Sequence, residues 1–149
     1  MFKIAVAEDE DIFAEELRNY FDRFEEESGE RFCVTYYKDG DDLVQEYQSQ
    51  FDLILMDIQM KFMDGMSAAE EIRAVDSKVV IIFITNMTQY AVKGYEVDAM
   101  DYILKPVKYF TFSQKLERAL SRIKQRREIF MSIAVKGGMY KISVEELLY

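Results

Sequence analysis

Residues 52–60 read DLILMDIQM. Four apolar residues lead into Asp57, and apolar residues resume after it. A short, unbroken apolar run of this kind is the pattern of a parallel strand buried on both faces. A carboxylate at its end costs several kcal/mol to desolvate unless something pairs with it. No basic residue adjoins Asp57 in sequence, so its partners have to come from elsewhere in the fold.

Working outward, FKIAVA (2–7) and VVIIFIT (79–85) are runs of the same type, and FCVTYY (32–37) is β-branched and aromatic. A further strand is predicted near 100–104, ahead of Pro106. Between the strands lie helical patterns. Ile12, Phe13, Leu17, Tyr20, Phe21 and Phe24 recur at helical spacing before ESGE (27–30). DGDDLVQEYQ (39–48) reads as a short capped helix, and MDGMSAAEEIRAV (63–75) as a Gly turn leading into another. Helices are also predicted over 87–95 and, from Leu116, Ala119, Leu120 and Ile123, over 113–127. Strands alternating with helices predict an α/β fold: a doubly wound parallel sheet covered on both faces.

The bulk composition narrows the function. The chain has 149 residues, half of them apolar, which suits one domain of ordinary size with an appendage. Nothing approaches the 18 continuous apolar residues of a membrane span, and MFKIAVAEDE turns acidic too early for a signal peptide. Cys33 is the single cysteine, so no internal disulfide forms and a cytoplasmic location is expected. The absence of histidine removes His-based catalysis and His metal ligands, leaving a hard cation held by oxygen. The net charge of −9 is uneven: residues 1–107 hold 10 basic and 24 acidic side chains, whereas 108–149 hold 9 and 4. The first block repels nucleic acid and attracts cations. The second is basic mainly through KQRR (124–127), which also fits a solvated helix face.

In open parallel sheets ligands bind beyond the carboxyl ends of the strands. Those ends carry Glu8, Asp9 and Glu10 after the first strand and Asp57 after the third. Thr85 closes the fourth, and Lys105 follows the fifth. Singly, each has an ordinary reading, such as acids favouring a helix N-terminus. Together they form an anion-handling set: clustered carboxylates that a divalent cation relieves, a mobile ammonium and a hydroxyl. A carboxylate in that setting can act as a phosphoryl acceptor.

The pieces IAVAEDE, DLILMDIQMKFMDG, VVIIFIT and DYILKPV resemble a bacterial two-component response-regulator receiver domain over residues 1–125. The resemblance implies a flavodoxin-like fold with strand order 2-1-3-4-5. It makes Asp57 the acceptor of a phosphoryl group from a sensor histidine kinase, the protein being a signalling switch rather than a turnover enzyme. It implies Mg²⁺ (or Mn²⁺) held by Asp9 and Asp57, by Glu8 through water, and by the backbone carbonyl of Gln59. Thr85 and Lys105 match the switch hydroxyl and the phosphate-contacting lysine, and Tyr102 the aromatic whose rotamer follows Thr85. Lys61 stands where proline is common, so a looser loop after Asp57 is expected. Asn86 replaces a small residue, and with Gln59 and Met87 it is expected to slow attack of water on the acyl phosphate.

The second half is similar to receivers fused to LytTR-type DNA-binding domains. EIFMSIAVKGGMYKISVEELLY (128–149) reads as strand, Gly-Gly turn, strand and a cap at Ser143. Residues 126–149 are therefore expected to be a linker and the opening of a truncated LytTR domain, a short C-terminal β extension. DNA binding would then belong to the full-length protein, and VKGYEVDAM (92–100) is a candidate homodimer surface. A small hairpin appendage, giving a receiver with a non-DNA output, is the alternative. An aspartyl-phosphate hydrolase of the haloacid-dehalogenase type would need a second acid where Asp57-Ile58-Gln59 has none. A flavin-binding relative would need a Ser/Thr/Gly-rich loop where AEDEDIF stands.

Overall fold

The computed structural model describes residues 1–86 and 97–136, with side chains to residue 133. The predicted helix over 87–95, Met87, most of 92–100 and the hairpin turn at 137–138 lie outside the described residues. Five strands, β1 (Phe2–Ala7), β2 (Phe32–Tyr37), β3 (Leu53–Met56), β4 (Val80–Thr85) and β5 (Asp101–Leu104), form one sheet. Their order is β2-β1-β3-β4-β5 and every pairing is parallel, as predicted. The described helices are α1 (Asp11–Ser28), α2 (Gly40–Glu46), α3 (Gly65–Val75) and α4 (Tyr109–Lys136).

The central strands read as apolar runs because both faces are covered. Alternate residues Ile4, Val6, Leu53, Leu55, Val80, Ile82 and Ile84 pack against Leu17, Phe21 and Phe24 of α1 and Phe112, Leu116 and Leu120 of α4. Ala5, Ala7, Ile54, Met56, Ile81 and Phe83 face the opposite way, onto Leu43 of α2 and Met66, Ala69 and Ile72 of α3. Between them the two layers bury β3 and β4 completely. Ile12 departs from the predicted core face, being 79% exposed at the start of α1. One turn further on, Leu17 and Phe21 already satisfy the sheet.

The strand expected at the start of 128–149 is helix. Helix α4 runs without a break from Tyr109 to Lys136, so the boundary expected at residue 125 falls inside it. The apolar spacing of 113–127 continues through Phe130, and no glycine or proline interrupts it before Gly137. Tertiary contacts then decide between helix and strand. The Arg126 guanidinium donates to the Lys78 carbonyl, and Arg127 reaches the Met1 carbonyl at 3.2 Å and the Asp52 carboxylate at 3.1 Å. Phe130 and Met131 line a recess together with Phe51 and Val79.

Candidate functional site

The register of the sheet delivers the strand ends to one edge. Ala7 pairs with Met56, Met56 with Phe83, and Thr85 with Leu104. The residues that follow therefore emerge side by side. The Asp57 N–H donates to the Ala7 carbonyl at 3.0 Å and the Lys105 N–H to the Thr85 carbonyl at 3.0 Å, which extends the ladder by one residue at each place. Glu8 is tied in the same way to the Tyr37 carbonyl at 2.9 Å.

Glu8, Asp9 and Asp57 each offer a carboxylate oxygen, and the three oxygens lie within 4.8 Å of one another. Glu8 and Asp57 are buried while Asp9 is open to solvent. The Lys105 ammonium bridges the two buried acids, 2.7 Å from Glu8 Oε1 and 2.8 Å from Asp57 Oδ2. Its Nζ also sits 4.0 Å from the centre of the Phe13 ring, a cation–π contact that no sequence pattern announced. Asp57 Oδ1 accepts the Gln59 N–H at 3.3 Å.

Burial pushes the Glu8 carboxyl up to about 7, with the Asp57 charge adding to it and Lys105 opposing. Burial also disfavours the charge on Lys105. Asp57 and Glu8 outweigh it, and the ammonium is held above the ordinary lysine value. Oxygen ligands of this number and spacing fit a hard divalent cation, which relieves the repulsion between the acids.

Asp9, Asp57 and Lys105 line an open cleft of about 690 Å³ together with Phe13, Lys61 and Asn86. Gln59 also lines it. Thr85 is fully buried at the end of β4 and is not among the residues that line the cleft. Tyr102 packs behind on Phe83, with ring centres 5.8 Å apart. Sequence reasoning missed Asp64 and Pro106, which also line the cleft. Pro106 directly adjoins Lys105, and Asp64 ends the loop that follows Asp57, where loop paths carry no periodic signal.

The family described as the response regulator receiver domain matches residues 4–117. The sensory transduction protein LytT of Bacillus cereus is 28% identical over all of this chain and 65% of its own length. The transcriptional regulatory protein ZraR of Salmonella typhimurium is 32% identical, over 69% of this chain and 24% of its own. The chain thus spans under two thirds of the length of its LytT relative. Among solved structures, the response regulatory domain of mrkE from Klebsiella pneumoniae superposes with a TM-score of 0.72 at 28% identity. That match covers 83% of this chain and 98% of the other. The receiver domain of the sensor histidine kinase PA1611 from Pseudomonas aeruginosa, which has a magnesium ion coordinated in its active site cleft, gives 0.68 at 27% identity. It covers 80% of this chain and 98% of its own.

Proposed function

This chain belongs to the response regulator receiver domain family, and from that premise we propose that Asp57 is its phosphoryl acceptor and a sensor histidine kinase the donor. The observation that carries the proposal is the meeting of three carboxylates and one ammonium at the carboxyl edge of the sheet. In the transfer, an Asp57 carboxylate oxygen forms the new bond to phosphorus. The bond from phosphorus to the donor imidazole nitrogen breaks, and its electron pair stays on that nitrogen.

Asp9 and Asp57 would hold Mg²⁺ directly, with Glu8 acting through water and Gln59 giving its backbone carbonyl. The magnesium in the cleft of the PA1611 receiver supports that choice. When bound, the cation offsets charge on the transferring phosphoryl oxygens. Lys105 already lies 2.8 Å from Asp57 and would turn to the incoming phosphoryl oxygens. Thr85 would donate its hydroxyl to the phosphoryl group, and Tyr102 would follow it, so that phosphorylation biases two conformations of the receiver. Asn86, which lines the cleft, would hinder attacking water. On this reading the chain is a stoichiometric acceptor rather than a turnover enzyme.

The output proposed is transcriptional, through a LytTR-type DNA-binding domain of the full-length protein, with the receiver over 1–125 able to form a homodimer. The likeness to LytT and ZraR supports it. No helix among the described residues is long and apolar enough to cross a membrane, and we place the protein in the cytoplasm. The test is labelling. Mg²⁺ with acetyl phosphate or beryllofluoride should modify the wild type and leave Asp57→Asn unmodified. Equal modification of the two would refute the assignment.

A further inference from the structure

The loop from Asp57 to Gly65 carries Gln59, yet its own side chains hold it poorly. Residues 58–64 form neither helix nor strand. Ile58 anchors the near end, fully buried, and the Gly65 N–H donates to its carbonyl at 2.8 Å. Beyond that anchor Gln59, Lys61 and Phe62 turn to solvent, with Phe62 78% exposed. A lysine at position 61, rather than a ring-locked residue, leaves the backbone there unrestrained.

The grip on the far half of the loop comes from a different element. Asp39 precedes α2 and is only 4% exposed. Its Oδ1 accepts the Asp41 N–H at 2.9 Å and the Met63 N–H at 2.8 Å, while Oδ2 accepts the Phe62 N–H at 2.8 Å. Gly40 brings the two segments closer still. A Cβ there would lie 2.8 Å from the Met63 carbonyl oxygen and 2.9 Å from the Ala68 Cβ.

Capping alone does not explain this arrangement. A serine, threonine or asparagine caps a helix about as well as aspartate without burying a charge. Burial alone would raise the Asp39 pKa. The N–H groups of Phe62, Asp41, Met63 and Lys61 outweigh it and hold the carboxyl below the ordinary aspartate value. A proline at 61 would have no N–H to contribute. The carboxylate is thus kept charged by loop backbone, and the loop backbone is kept in place by the carboxylate.

We propose that Asp39 is a positioning residue for the metal site: by clamping Phe62 and Met63 it fixes the path of the loop and presents the Gln59 carbonyl to the cation. The inference rests on the reading of Glu8, Asp9, Asp57 and Gln59 as the ligand set. Glu8 and Asp57 are tied to the sheet by their backbone N–H groups, Asp9 adjoins Glu8 in sequence, and these three do not depend on the clamp. Only the main-chain ligand depends on the loop, so releasing it weakens binding without abolishing it. Ordering about one backbone residue on binding corresponds to roughly tenfold in affinity.

The probe is Mn²⁺, whose free ion is counted by electron paramagnetic resonance as it is titrated into the full chain. Asp39→Ser keeps a hydroxyl for the α2 cap but falls short of the loop. Asp39→Asn, the isosteric variant, keeps one oxygen and sets an NH₂ against the Phe62 N–H. It decides the matter if the serine variant does not fold. Leu43→Ala weakens α2 from its buried side without touching the clamp. Both Asp39 variants should bind Mn²⁺ about tenfold more weakly, with faster amide exchange at Phe62 and Met63. Leu43→Ala should stay within about twofold of wild type. Unchanged affinity in a folded Asp39 variant, or an equal fall in Leu43→Ala, overturns the proposal. A wild type that takes up no Mn²⁺ overturns the ligand-set reading itself, and the inference with it.

Discussion

Gly65→Ala tests how tightly the acceptor strand end is built against α3. Gly65 is buried, and a Cβ on it would lie 2.2 Å from the Asp57 carbonyl oxygen, 3.0 Å from its carbonyl carbon and 3.1 Å from the Ile58 Cα. All three are backbone atoms, so no rotamer change relieves the contact. Reaching ordinary separation requires an opening of about 1 Å between the start of α3 and the end of β3. Overpacking of this kind costs about 1–3 kcal/mol. Alanine recovers about 0.5–1 kcal/mol by restricting the unfolded chain. The net expectation is a loss of about 1–2 kcal/mol, read as a lower urea midpoint at unchanged slope. Gly29→Ala is the control. Its φ of 78° strains alanine, but nothing lies within 4 Å of the new methyl and the cleft is distant. Both variants lose stability, and only Gly65→Ala should also lose Mn²⁺ affinity, because its strain is relieved at Asp57. Wild-type stability in Gly65→Ala, or equal Mn²⁺ binding in the two variants, would refute the steric argument.

Lys105→Met removes the cation between Glu8 and Asp57 and should cost about 3 kcal/mol in metal-free urea unfolding. Much of that loss should be recovered on adding Mg²⁺, and a loss indifferent to metal would show that it does not come from the uncompensated charge on Glu8 and Asp57. Asn86→Ala removes a side chain that lines the cleft, so the phosphorylated variant should lose its label faster than wild type. Slower decay would exclude Asn86 as the barrier to water. Asp39 has a folded pKa below its unfolded value, near 3.9, so its contribution is complete above that value and fades as pH falls through the folded one. The stability gap between wild type and Asp39→Asn should therefore hold steady above the unfolded value and narrow as pH falls below it. A gap that does not narrow in acid would mean that the carboxylate charge is irrelevant.

What was legible in the sequence is what the strand pattern fixes. VIIFI (80–84) is apolar at every position because β4 is covered on both faces, and that pattern places it in the interior of the sheet. Once the parallel order is known, the residue after each strand needs no further information to be located. Asp57 and Glu8 could be brought together on paper for that reason. The end of α4 was not legible in this way. EIFMSIAV has neither a strict period of two nor a breaker, and the choice of helix lies in what Arg126, Arg127 and Phe130 meet just ahead of β3 and β4 and at the N-terminus. Ile12 fits the helical stripe by spacing, yet α1 tilts it into water.

Asp39 marks the boundary between the two kinds of information. In sequence it is a helix cap, and Asp41 accounts for it locally. Its bonds to Phe62 and Met63 cross 23 and 24 residues, into a segment with no regular structure. No periodicity could predict them, because a loop path is set by whatever fastens it. The expectation drawn from Lys61, a looser loop, took the absence of a local restraint for the absence of any. The restraint is present as a buried charge on the neighbouring element. Three of the four oxygens proposed for the metal thus follow from strand order alone, whereas the fourth depends on a side chain outside the ligand set. Substitutions at 39 should therefore tune cation affinity while leaving the carboxylate cluster intact.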